Sequence, residues 1–327
     1  KMSKDFVPDL IVKTDNIQRY YTPKSAIKKN SNFYRKIDSK LFTPPYIAIK
    51  KGQKNNLITA SLITHSAYCM SGVYIVNNNI SEIEKKAILS LINSKFSTYF
   101  LFLVSSSWGV EREQIMSNEF LLLPYFFGQN KESSKIASEI DKIISIKKSD
   151  SLIQDISHLE KEIDQIIYND VLKLTKDEQI IINDTLNYSL DLFENQEKSD
   201  AVKPVITTEH YYNRLAKELN DWLDDVSLKA SVTHYKIDNN CPLYMVKISF
   251  GDKQKPPVFS KENIYAELKK IDTKLWEEET KNLYFRKKLN YYDGDDVYII
   301  KPNQRRFWSE TVAMEDSREL LIEIGNG

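Results

Sequence analysis

Hydrophobic and polar positions follow three different rhythms along this chain. Over the first eighty residues, apolar residues come in short runs rich in β-branched and aromatic side chains: YIAIK (46–50), LITASLI (57–63) and GVYIV (72–76). Gly, Asn and Ser bound these runs, a pattern that predicts strands separated by turns. After VNNNI, Ser81 stands where an N-cap would, with Glu82 and Glu84 in the turn that follows. This predicts a helix running from there to about Val104. It should stop in the polar SSSWG (105–109). EREQI (111–115) predicts a short helix or turn, and Pro124 closes the apolar EFLLLPY.

From about 131 to 195 the rhythm becomes helical and acidic. Ile153, Ile156, Leu159, Ile163, Ile166 and Ile167 recur at three- and four-residue spacing, forming a stripe that would pack on a partner helix. Thr175-Lys176-Asp177-Glu178 has the form of a capping box and predicts a further helix through Leu192. The polar ENQEKSDAVKPV (194–205) reads as a linker ending at Pro204.

The remainder predicts a separate unit: a helix at 209–226, strands at 230–237 and 243–251, a turn and strand in DGDDVYIIKP, and a final helix in SETVAMEDSRELLIEI. Asp293, Asp295 and Asp296 look like a cation loop, but the spacing favours a hairpin turn. The expected fold class is α+β. It comprises a mixed α/β domain over 1–130, a helical packing or docking segment over 131–200, and a small α/β domain over 201–327.

Charge adds a direction to this plan. Residues 1–130 hold 17 Lys and Arg against 9 Asp and Glu, residues 131–200 hold 9 against 16, and residues 201–327 hold 20 against 21. A polyanionic partner would therefore meet the first stretch. Cys69 and Cys241 form no CxxC pair, and the four histidines have no metal-ligand spacing. The N-terminal KMSKDFVPDL lacks the apolar run of a signal peptide, and Asn93 and Lys95 interrupt the most apolar window, 87–104. The expected location is the cytoplasm, with no membrane partner.

Chemistry is sparse. With 8 glycines and no GxG beyond the terminal GNG, the chain offers no Gly-rich turn for a nucleotide or for S-adenosylmethionine. No cofactor is expected in this chain. Thr43-Pro44-Pro45-Tyr46 approaches the tetrapeptide with which amino-methylating DNA enzymes hold an extruded base. Thr43, however, lacks the amide or carboxylate that such a site uses, and no catalytic residue is assigned.

The order of several pieces is more informative. Lys50-Lys51-Gly52 ends a strand, Ile92-Asn93-Ser94-Lys95 interrupts the apolar helix, Ser105-Ser106-Ser107-Trp108-Gly109 precedes Arg112, and Leu123-Pro124 closes the segment. Over roughly 40–125 this resembles the target-recognition domain of N6-adenine DNA methyltransferases of restriction-modification systems, TaqI-like enzymes among them. IDQIIYNDVLKLTKDEQIII is similar to the helical tail that follows that domain. The resemblance implies a bacterial-defence specificity module that reads double-stranded DNA. S-adenosylmethionine and catalysis would then belong to a methyltransferase domain upstream or in a separate subunit. An assembly module with no DNA affinity is the alternative.

Phosphate contacts need cations, and base edges need paired donors and acceptors. Lys50 and Lys51 should leave their strand on opposite faces. Lys28 and Lys29, with Arg35, make a basic stretch interleaved with aromatics. Lys95, Ser106, Ser107 and Arg112 complete the primary candidates. The serines would serve either as phosphate donors or as a helix-ending turn, and Trp108 either stacks on DNA or packs in the core. Lys301, Gln304, Arg305 and Arg306 form a second candidate contact, or alternatively the lead-in to a helix capped at Ser309.

Overall fold

The computed structural model describes residues 10–29, 39–52, 57–70, 72–77, 79–106, 108, 114–125, 131–149, 155–238, 240–278 and 288–326, apart from the side chains of Lys29, Ser39, 274–278 and Asn326. The fold is α+β, in two compact units, Lys1–Leu186 and Asn187–Gly327.

The first unit contains β1 (Leu10–Val12), β2 (Tyr20–Tyr21), β3 (Ile27–Lys29), β4 (Tyr46–Lys50), β5 (Ala60–Ile63), β6 (Tyr68–Cys69) and β7 (Val73–Val76). These form a sheet of order β3-β1-β6 and another of order β2-β5-β4-β7. β4 is central, which is why YIAIK is apolar at every position but the last. Tyr46 and Ala48 join Val12, Phe42, Ile63 and Cys69 in a core, while Ile47 and Ile49 alternate to the other face.

Helix α1 (Glu82–Asn93) packs on β2, β4 and β5. Ser81 is the N-cap that the sequence suggests, and Glu84 closes a capping box with it. One helix was expected through Val104, but the chain breaks at Ser94 into α1 and α2 (Lys95–Val104), bent by 59°. Ser94 causes the break: its Oγ–H donates to Leu91 O at 2.7 Å and its Oγ accepts from Ser97 N–H at 3.1 Å, ending one helix and starting the next. Among the described residues no single helix is long and apolar enough to cross a membrane; the bent α1–α2 pair passes only by joint length and composition.

After α3 (Ser117–Phe120), helices α4 (Lys131–Lys148), α5 (Ser157–Ile166) and α6 (Lys176–Asp184) complete the unit. The acidic stretch is therefore not set apart from the strands. α4 packs on α1 and β2, α5 on α4, and α6 on α2. The amphipathic stripe buries Leu159, Ile163 and Ile167, whereas Ile153 lies outside the described residues. The helix begun at Thr175 was expected through Leu192; it is α-helical to Asp184 and then widens into a π-helix over Thr185–Leu190.

The second unit runs α7 (Asp191–Asn195), α8 (Glu209–Trp222), β8 (Lys229–His234), β9 (Leu243–Gly251), β10 (Val258–Phe259), α9 (Ile264–Glu278), β11 (Leu289–Asp293), β12 (Asp296–Pro302) and α10 (Glu310–Asn326). Its sheet has the order β10-β8-β9-β12-β11, with β10 parallel to β8 and the other pairs antiparallel. The aspartate-rich stretch is a hairpin turn: Asp293 pairs with Asp296, and Gly294 takes φ 62°, the left-handed conformation that favours glycine. α8 packs on β8 and on α10, over a core that includes Tyr211, Leu215, Val246, Ile299 and Trp308.

Candidate nucleic-acid interface

The end of β4 meets the segment after the serine-rich turn. Lys51 N–H donates to Gly72 O at 3.0 Å, Ile115 N–H donates to Lys51 O at 3.1 Å, and Gly52 bridges to Gln114. The two cations leave on opposite faces. Lys50 is in register with Val73, and the Lys51 ammonium lies 4.7 Å from the Tyr74 ring centroid, whose other neighbour is Phe120.

A buried carboxylate holds this junction in shape. Ser106 N–H and Oγ–H donate to Glu119 Oε1 at 2.7 and 3.0 Å; Ser105 Oγ–H and Met116 N–H donate to Oε2 at 2.8 and 2.7 Å. Burial pushes the Glu119 carboxyl up, but the hydrogen bonds from Met116, Ser106 and Ser105 outweigh it and hold the group below its ordinary value. Ser106 thus serves the turn, because the lone pairs of Glu119 take both of its donors. Trp108 is buried against Phe102, so it is a core residue and not a wedge for DNA.

The other primary candidates are dispersed. Lys28 is exposed on β3, opposite Ile11. Lys95 is exposed at the start of α2, where its backbone N–H donates to Asp164 at 3.1 Å. Arg35, Ser107 and Arg112 lie outside the described residues, as does the side chain of Lys29. The structure therefore gathers Lys50, Lys51, Ser106 and Trp108 and leaves Lys28 and Lys95 apart. Tyr46 is wholly buried, its hydroxyl donating to Ala67 O at 2.5 Å, so its ring cannot stack on a base.

Sequence reasoning missed a charged knot in the same unit. Arg19 pairs with Glu160 at 2.8 Å, donates to Ile58 O at 2.8 Å and also donates to Asn93 O. Asn93 mimics a strand: it accepts from Ala60 N–H at 2.9 Å and donates to Ala60 O at 3.0 Å. Beside this, burial pushes the Asp164 carboxyl up to about 6, against the Lys95 N–H and the nearby Lys95 and Arg19 charges. The INSK tetrapeptide and the IDQIIYND helix thus meet in space. A polar Asn interrupting an apolar helix was the legible signal; its partners were not.

The second candidate stretch has a different fate. Lys301 is 2% exposed, paired with Asp316, and its ammonium sits 4.4 Å from the Tyr211 centroid and 4.7 Å from that of Trp308. It is unavailable to DNA, a correction to the sequence expectation, because β12 passes beneath α8 and α10. Its neighbours knit the unit. Asn303 donates to Asp238 O and Cys241 O, both at 3.1 Å, Arg305 donates to Pro204 O at 3.3 Å, and Gln304 accepts from Arg306 at 3.0 Å.

Among the described residues no group of three His, Cys, Asp or Glu is placed to hold a metal ion. No family model matches the sequence, and no curated protein is similar to it.

Proposed function

We propose that this chain is the DNA-reading part of a restriction-modification N6-adenine DNA methyltransferase, whose S-adenosylmethionine chemistry is supplied by a domain or subunit outside it. One observation carries the reading. The cationic strand end and the serine-rich turn, more than fifty residues apart in the sequence, form one junction locked by Glu119. Two of the pieces that resemble the target-recognition domain are thus parts of one construction, and they lie in the stretch with excess positive charge. Lys50 and Lys51, one on each face of the strand end, supply cations for phosphate contact, and duplex DNA is the polyanion that the resemblance implies.

The test is binding of the full chain to a fluorescein-labelled duplex across a salt series. A DNA reader gives a log affinity that falls linearly with log salt, with a slope set by the phosphates contacted. No duplex binding at low salt sinks the reading.

An assembly module is favoured by a different feature. Leu103, Val104, Met116, Leu121, Leu122 and Tyr125 are exposed around α2 and α3, an apolar surface of the kind that marks partner contacts. Concentration-dependent self-association that salt does not weaken, without duplex binding, is the outcome that selects it.

A further inference from the structure

The second unit carries a cavity that the reading of the first unit leaves unused. It measures about 710 Å³, within the range of small-ligand sites, and opens beside edge strand β10. One lining side chain is aromatic, Phe259, and two further rings stand behind it. His234 stacks on Tyr212 with centroids 4.1 Å apart and planes at 13°, and Phe259 stands 5.4 Å from His234 at 62°. Phe259, edge-on to His234, is 51% exposed, so about half of its surface is open to a ligand.

The polar groups of the cavity are of two kinds. The acidic ones have neighbours of their own: Asp238 accepts from Asn240 N–H at 2.9 Å, and Glu262 lies in the field of the Lys270 ammonium. The basic ones, Lys236 and Lys261, are exposed and make no ion pair among the described residues. Asn263 accepts from Tyr265 N–H at 2.8 Å through its carbonyl, which leaves its amide N–H₂ to donate. Asn240 adds a second side-chain amide. A half-exposed aromatic ring, two amides and two ammonium groups match the three parts of one ligand class. A flat heteroaromatic ring would stack, its polar edge would meet the amides, and its phosphate would pair with lysine. An acidic peptide would use the lysines and leave Phe259 idle.

From this juxtaposition we infer that the cavity between β8, β10 and α9 binds a nucleoside 5′-phosphate, free or as an unpaired residue of a single strand, with the base on Phe259 and the phosphate on Lys236 and Lys261. A neighbouring cavity of about 440 Å³, bounded by Ile206 and Arg305, shares Ile237 as a wall and gives a strand a path onward. The inference does not depend on the duplex reading of the first unit.

The experiment uses the full chain, Phe259→Ala and the pair Lys236→Ala/Lys261→Ala, with circular dichroism to verify folding. These side chains are exposed, so the variants should fold. Deoxyadenosine monophosphate is observed by saturation-transfer NMR, and a labelled six-residue oligo-dT by anisotropy. Expected are base-proton signals that Phe259→Ala abolishes, and oligonucleotide affinity that falls about five- to a hundredfold in the same variant. Loss with the oligonucleotide alone assigns the site to strands; loss with both assigns it to the nucleotide itself. Binding that Phe259→Ala leaves unchanged, or that neither ligand shows, overturns the inference. Duplex binding that persists in Phe259→Ala while oligonucleotide binding fails keeps the two readings separate.

Discussion

Lys50 and Lys51 on one strand end and Lys301 on another hold similar places in the sequence, each closing an apolar run before a polar turn. The fold treats them in opposite ways. At the end of β4 the ladder passes to Gly52 and Gln114, and Lys51 lies along Tyr74 beside a turn that Glu119 gathers through neutral N–H and O–H donors. Near the end of β12 the alternation places Lys301 with Val297 and Ile299 on the face beneath α8 and α10, and its partner Asp316 is held by cations. A lysine at a strand end is a half-exposed charge or a core charge according to what packs over that end. The type of residue does not decide it.

The largest expected effect tests the buried half of this contrast. Lys301 and Lys288 both pair with Asp316, the latter at 2.9 Å. Burial alone would raise the Asp316 carboxyl and does lower the Lys301 ammonium, to about 8; the two lysines and the Tyr211 hydroxyl nevertheless hold Asp316 below its ordinary value. Asp316→Ala strands Lys301 in the core and should cost about 3–5 kcal/mol. Lys301→Met should cost less, because Lys288 still neutralises Asp316 and the thioether packs against Tyr211 and Trp308. Urea denaturation midpoints give both numbers, and equal losses would show that the cation, not the carboxylate, organises the site. The sign of the pH dependence follows from the depressed Asp316 value. Its contribution is present above the unfolded pKa of about 3.9 and is lost as pH falls through the folded value.

How much of this was legible differs from element to element. The strands of YIAIK and LYMVKISFG, the Ser81 N-cap, the Thr175 capping box and the Asp293–Asp296 turn follow from local chemistry, and local chemistry is what a sequence displays. The break at Ser94 did not stand out, because a serine inside an apolar helix reads equally well as a solvent-facing position. Asp316 was signalled in part: it sits with Ala313, Ser317 and Leu320 on the buried stripe of α10. A carboxylate on such a stripe demands a partner. Which partner it finds depends on the packing of β12 against two helices, and no spacing along the chain encodes that. Arg19 is the extreme case, since its contacts at 58, 93 and 160 come from three separate elements.

Asp164 sharpens the comparison, because it is buried like Asp316 but with weaker compensation. It accepts the Lys95 N–H, makes no ion pair among the described residues to offset burial, and its carboxyl is raised to about 6. The sign is therefore reversed. Between about pH 4 and 6 the folded state holds a proton that the unfolded state has lost, so this group's contribution declines as pH rises through that window. Asp164→Asn keeps an acceptor for Lys95 N–H and removes the charge. It should stabilise the protein by about 1–3 kcal/mol at pH 7 and by much less at pH 4.5, read as urea midpoints at the two values. A gain that is the same at both would mean that packing, not ionisation, separates the two side chains.

The smallest effect in energy bears on the half-buried lysines at the end of β4. Lys50→Gln/Lys51→Gln removes two charges from a strand end whose described neighbours are β7 and the Gln114–Ile115 segment. Stability should change by less than about 1 kcal/mol, because the Lys51–Tyr74 contact is worth roughly 0.5–1 kcal/mol at a surface. Duplex affinity should fall by a larger factor at low salt than at high salt, with the slope of log affinity against log salt reduced by about 1 to 2. Salt dependence is the discriminating readout, since a folding defect would weaken binding at every salt concentration alike. If the double variant binds with an unchanged slope but unfolds several kcal/mol more easily, the end of β4 is structural in the same sense as the end of β12. The difference between the two lysine sites would then lie in their partners alone.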